Sequence, residues 1–164
     1  MRWQLPEDGH LKINVHGAFS HESNMGVTGA VVRNSAGFLL MASAGWLDST
    51  GSALLVEAEA LWDDIRIIPE GTTEHIMVEI DSQELVTLWK NRGKHRSEIK
   101  VILNDVEEMI SNFNSFQVLH VKRSANFAAH LYAQHASSFL ASFVWAEAPS
   151  FLQPCLQFDC NNAV

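Results

Sequence analysis

The order in which hydrophobic periodicity changes along the chain constrains its fold more than any other feature. Three apolar, β-branched runs come first, with short turns between them. Residues 11–19 read LKINVHGAF, and Leu11, Ile13 and Val15 alternate with Lys12, Asn14 and His16, the pattern of a half-buried strand. Residues 26–34 (GVTGAVVRN) follow, then the turn signal Ser35-Ala36-Gly37, then residues 38–46 (FLLMASAGW). Consecutive strands joined by such short turns form an antiparallel meander. From Ser52, a candidate cap, the period becomes helical. Leu54, Ala58, Leu61, Ile65 and Ile68 recur at helical spacing until Pro69-Glu70-Gly71 ends the run.

The second half alternates between the two periods. Residues 75–80 (HIMVEI) read as a fourth strand and residues 82–91 as a helix with Leu85, Leu88 and Trp89 on its apolar side. Residues 97–113 form the clearest helix, with Ser97 as cap and Ile99, Ile102, Leu103, Val106, Met109, Ile110 and Phe113 on one stripe. Residues 116–121 (FQVLHV) read as a fifth strand and residues 124–140 as a last, Ala-rich helix. Strands separated by helices pair in parallel through right-handed crossovers. The expectation is an α/β domain with a mixed, five-stranded sheet: an antiparallel β1-β2-β3 meander plus parallel β4 and β5. Periodicity alone does not set the strand order. A body of residues 1–141 is expected, with residues 142–164 as an irregular extension packed on it or trailing from it, because Trp145, Pro149, Phe151, Pro154 and Phe158 follow no clean period.

Composition narrows the class. At 164 residues, 47% of them hydrophobic, the chain reads as one globular domain with a real core. No apolar run approaches the roughly 20 residues of a membrane helix. The opening MRWQLPEDGH has no apolar leader core, so the expected location is intracellular, nuclear or cytoplasmic, and not secreted. Cys155 and Cys160 are then expected to stay reduced, and a lone C-x4-C pair is a poor zinc signature. The net charge of −8 is awkward for a phosphate-binding protein. Its basic residues are grouped, however: Lys90, Arg92, Lys94, His95, Arg96 and Lys100 in one cluster, Lys122 and Arg123 in another. They are either a solvated connecting loop or a local phosphate-contacting patch.

Four short stretches carry a resemblance. K-I-N-V-His16-G-A lies on the first strand, and E-Glu57-like spacing appears in LLVEAEAL, where Glu57 stands three residues before Ala60-Leu61. Asp81 ends the fourth strand in VEIDS, and HVKRSANFAAH places Asn126 and His130 on the last helix. In that order they resemble the ribonuclease H family, specifically the plant retroelement-type domain, over nearly the whole chain. Two of the four expected acids differ: His16 and His130 stand where the first and fourth aspartates belong.

The resemblance implies a sheet covered by helices on both faces, and metal-dependent endonucleolytic hydrolysis of RNA–DNA hybrid. Two divalent ions, Mg²⁺ or Mn²⁺, roughly 4 Å apart would clamp the scissile phosphate. It carries the catalytic positions onto His16, Glu57, Asp81 and His130, with Glu57 and Asp81 as the remaining metal ligands. Glu59, about 200° round the helix, is expected to face solvent. Asp81 reads alternatively as a helix cap. Hybrid contacts are implied for Ser20, Asn24, Ser82, Gln83, Arg123 and Asn126, and Asn126 reads equally well as a cap.

Neutral imidazole offers one lone pair and cannot bridge two ions as a carboxylate does. Replacing two acids also halves the negative charge available to balance two divalent cations. Hydrolysis is therefore expected to be impaired. Two alternatives stay open: a non-catalytic nucleic-acid or protein interaction module on the same fold, and a nuclease using Mn²⁺ or another transition metal, which imidazole suits better. The expected partner is RNA–DNA hybrid or another nucleic acid, bound weakly by a monomer away from any membrane.

Overall fold

The computed structural model describes residues 2–94 and 97–161. Three strands open the domain: β1 (His10–Ser20), β2 (Met25–Arg33) and β3 (Leu39–Leu47). They are followed by α1 (Ala53–Ile65), β4 (His75–Ile80), α2 (Gln83–Lys90), α3 (Glu98–Met109), β5 (Ser115–His120), α4 (Phe127–Phe139), β6 (Phe143–Trp145) and α5 (Gln153–Asn161). The sheet order is β5-β4-β1-β2-β3-β6. β1, β2 and β3 pair antiparallel, while β4 lies parallel to β1 and β5 parallel to β4. The sheet thus has six strands, not five. The sixth comes from the tail read as irregular: Phe143, Val144 and Trp145 pair with Ala44, Ser43 and Ala42 of β3. Its three residues are too few to show a period of two, so no alternation is visible in the sequence.

Two helical layers cover the sheet. On one face α1, α2 and α3 bury Leu61, Leu85 and Leu103 against Ile13, Val15, Val32 and Val78. All seven apolar residues of the stripe assigned to α3 and its extension belong to this core, fully or in part. On the other face Ala128, Tyr132 and Ala136 of α4, with Leu152 and Leu156, pack on Val31, Ala42 and Ala44. The small side chains let α4 approach closely. A Cβ at Gly29 would run into the carbonyl oxygen of Ala129 and lie 2.6 Å from the Ala133 nitrogen.

Coverage on both faces corrects the half-buried reading of β1. Leu11 through Gly17 are all buried, polar positions included. The alternation remains, but it separates two buried faces rather than core from solvent. Lys12, Asn14 and His16 point into the α4 side, where each needs a polar partner. Lys12 Nζ lies 2.7 Å from Glu79 Oε1 and donates to the Gln4 carbonyl at 2.7 Å. Asn14 donates to Glu79 at 2.8 Å and accepts from Arg33 at 2.8 Å. Arg33, itself fully buried, reaches Asp159 of α5 at 2.7 Å and stacks 3.6 Å from the centre of the Trp3 ring. His16 is the last member of this polar line.

Candidate active site

The site lies where β4 ends beside the middle of β1 and α4 begins. Parallel pairing sets Val15 opposite Ile80, so His16 and Asp81 emerge as neighbours. α1 is brought to the same place by Gly17, whose missing side chain lets the Glu57 backbone approach: a Cβ there would sit 3.1 Å from Glu57 Cα. Ser52 caps α1 by accepting from the Leu55 amide at 3.2 Å, which puts Glu57 in the second turn.

A continuous hydrogen-bonded chain results. His16 Nδ1 lies 3.2 Å from Asp81 Oδ1, and His16 Nε2 lies 3.2 Å from His130 Nδ1. The two imidazoles meet edge-on at 79°. Asn126 donates to Asp81 Oδ1 at 3.2 Å and to the Val15 carbonyl at 2.7 Å. Arg123 Nε reaches Asp81 Oδ2 at 3.4 Å. His16 is 2% exposed, whereas His130 is half-buried at the rim.

These contacts set the charges. Burial alone would raise the Asp81 pKa, but hydrogen bonds and charge from His16, with Asn126 and Arg123 assisting, hold it at about 2. Asp81 is therefore an ion-paired carboxylate. Glu57 is the reverse: burial first, then the neighbouring Asp81 charge, push it up to about 8, against the pull of Arg123. Its Oε2 is buried without a hydrogen-bond partner. His130 is less basic than usual because of burial, His16 and Arg123.

His16, Asp81 and His130 are thus brought into one chain, with Glu57 close enough to feel Asp81. Asp81 is no helix cap; Ser82 caps α2 by accepting from the Leu85 amide at 3.3 Å. Glu59 is turned away from the site and only partly exposed, rather than fully in solvent. Glu79 shares the polar face of Asp81 but is taken by Lys12 and Asn14.

The implied hybrid contacts separate. Ser20, Asn24 and Gln83 are exposed; Asn24 sits at φ 53° in the turn between β1 and β2, and Ser82 is occupied as a cap. Arg123 has a side chain 71% exposed beside Asp81. Asn126 turns inward. It is 1% exposed, at the N-cap position of α4 with no side-chain cap bond, and its amide is spent on Asp81 and Val15. It holds the Asp81 carboxylate in place. Of the larger basic cluster, Lys90 and Lys94 are exposed, Arg92 is paired with Glu107 at 3.1 Å and stacked on Trp89, and His95 and Arg96 lie outside the described residues. Phe127, 47% exposed and 6.1 Å from the His130 ring, carried no sequence signal.

The donor set does not fit two hard cations, each of which wants about six oxygens. Both Asp81 oxygens are engaged, and both His16 nitrogens are committed, leaving Glu57 as one unspent carboxyl. Among the described residues no three His, Cys, Asp or Glu side chains are grouped to hold a metal ion. No described helix is long and apolar enough to cross a membrane, and Cys155 and Cys160 are both free.

The model of the reverse transcriptase-like family matches residues 14–136. No curated protein is a significant match. Among solved structures, the N-terminal RNase H domain of a Mycobacterium tuberculosis protein aligns at TM-score 0.70 and 20% identity, over 79% of this chain and 94% of that one. RNase H1 of the archaeon Halobacterium salinarum aligns at TM-score 0.69 and 16% identity, over 79% and 98%. LC11-RNase H1, solved with an RNA/DNA hybrid, aligns at 0.67 and 15%, over 80% and 99%. At these identities the structures speak to fold alone. The family match spans every element from β1 into α4, and the chain belongs to the reverse transcriptase-like family, with an RNase H-like fold.

Proposed function

We propose that this is a ribonuclease H-type nucleic-acid domain of plant retroelement type in which metal-dependent hydrolysis of RNA–DNA hybrid is impaired. One observation carries the reading. At the centre of β1, where the resemblance expects a carboxylate able to bridge two ions, His16 spends both nitrogens on protein partners, Asp81 and His130. A hybrid-cleavage assay over Mg²⁺, Mn²⁺ and Zn²⁺ tests it. Cleavage by the natural chain should stay near background in all three. His16→Asp combined with His130→Asp should raise the Mg²⁺ rate by orders of magnitude, because a bridging carboxylate and two negative charges return. Robust Mg²⁺-dependent cleavage by the unaltered chain would refute the reading.

The non-catalytic binding module is the second reading, and the neutralised Asp81 favours it. With both oxygens covered by His16, Asn126 and Arg123, this carboxylate repels a phosphate less than a bare one would. Imidazole ligation of a transition metal finds less support, since neither His16 nitrogen has a lone pair to spare.

A further inference from the structure

β1 and β4 both begin with a histidine, and parallel pairing sets His10 directly opposite His75. Their side chains leave the sheet on the same face. The two imidazoles are stacked, with ring centroids 4.8 Å apart and planes 25° from parallel. His10 precedes His16 along β1 by about 20 Å, at roughly 3.3 Å per residue. The pair is therefore separate from the candidate active site.

Each ring is held by one nitrogen and leaves the other open. His10 Nδ1 donates to the Asp8 carbonyl at 3.3 Å. A carbonyl can only accept, so this tautomer leaves a lone pair on His10 Nε2. His75 Nδ1 lies 2.8 Å from Ser115 Oγ, and Ser115 of β5 is its direct partner in the sheet register. With the hydroxyl accepting, His75 Nε2 holds a lone pair as well. Among the described residues neither Nε2 has a hydrogen-bond partner. A ring tied through one nitrogen to a protein oxygen, with the other nitrogen open, is the form in which histidine ligates metals. Both rings are half-buried, so they are oriented yet reached by solvent. Lys12, the next residue of β1 on this face, has its ammonium held by Glu79 at 2.7 Å. Asp8 and Glu74, exposed beside the pair in sequence, add negative charge that favours a cation.

We infer that His10 and His75 form a binding site for one divalent transition-metal ion of the nickel–copper–zinc series, which ties the starts of β1 and β4 together. Imidazole suits these ions, whereas Mg²⁺ and Ca²⁺ prefer oxygen. Each Nε2 takes the ion at about 2.0–2.1 Å. Water completes the shell, because among the described residues no third His, Cys, Asp or Glu joins the pair. Through Ser115 the hold extends to β5, so the ion links three strands. The fold brings together two ligands that lie far apart in the sequence, so the ion binds the folded chain better than the unfolded one and stabilises it. None of this rests on the nucleic-acid reading or on the hydrolysis reading.

The test titrates the full chain with Ni²⁺ by calorimetry, with Mg²⁺ as the control, and follows thermal melts in both ions. Ni²⁺ is the probe because thiolates compete for it less than for Zn²⁺. The expected result is one Ni²⁺ per chain and a Tm raised by about 5 °C at a hundredfold excess over Kd. His10→Gln and His75→Gln should each weaken Ni²⁺ binding by more than the roughly 100-fold that losing an outer-shell partner can cost, and Ser115→Ala should weaken it by about 10-fold. His21→Gln and His120→Gln, both at exposed positions, should change neither affinity nor Tm shift. His10→Gln replaces the first residue of β1 and decides the matter by itself if His75→Gln fails to fold. Ni²⁺ binding and a Tm shift that survive His10→Gln overturn the inference, as does a natural chain that binds no Ni²⁺. A Tm shift from Mg²⁺ that is lost in His10→Gln would overturn the choice of ion.

Discussion

Removing Asp159 should cost the domain a large part of its stability, although this residue lies in the tail and far from the site in sequence. Arg33 is entirely buried, and Asp159 is its ion-pair partner, at 2.7 Å and 10% exposure. Asp159→Ala leaves the guanidinium with Asn14 Oδ1 at 2.8 Å and the face of Trp3 at 3.6 Å. Breaking a buried ion pair from one side costs about 3–5 kcal/mol. The cation–π contact that survives offsets about 1–2 kcal/mol of the charge's discomfort but is present in both proteins. The small exposure of Asp159 lets water reach the vacated space, so the lower bound, about 3 kcal/mol, is expected. For a chain of this size that corresponds to a fall in Tm of about 6–12 °C. Urea titration with an unchanged m-value, together with a thermal melt, measures it. Asp159→Asn, which keeps an acceptor but no charge, should fall between the two. An Asp159→Ala protein within the roughly 0.5 kcal/mol typical of surface changes would refute the argument, and would mean that α5 is not what balances Arg33.

Gly29→Ala should also destabilise, by about 1–3 kcal/mol as overpacking does, because the new methyl meets the α4 backbone at Ala129 and Ala133; a melt checks it, and an unchanged Tm would show that α4 can lift away freely. Stability should fall as pH rises from about 4.5 to about 8. Glu57 is raised from its unfolded value of 4.5 to about 8, so the folded protein holds a proton there that the unfolded chain has released. Glu57→Gln should flatten part of that slope in pH-dependent melts, with Asp64, raised by burial, accounting for more of it; an unaltered slope would refute the assignment. At the acid end Asp81 acts oppositely, and stability held by its contacts should be lost as pH falls toward about 2. Hybrid binding should be weak, with a salt slope of about −0.9 per phosphate neutralised on B-form duplex taken as a guide, and should exceed binding to duplex DNA because the 2′-hydroxyls remain to be read. Equal affinity for both in titrations at two salt concentrations would count against a nucleic-acid role.

The sequence by itself determined the elements and their pairing sense. Periods of 2 and 3.6 follow from backbone geometry, so β1 to β5 and α1 to α4 could be read residue by residue, and Ser52 could be placed as a cap. The order of motifs also indicated that His16, Glu57, Asp81 and His130 would come together. Only the tertiary structure decided what those residues do to one another. That Asn126 turns inward, that both His16 nitrogens are consumed, and that Glu57 is left holding an unpaired oxygen depend on distances between separate elements. No local period encodes such distances. The sixth strand and the Arg33–Asp159 pair belong to the same class: three residues show no period, and an ion pair spanning 126 positions joins two residues that look like ordinary surface charges until the helices close over them.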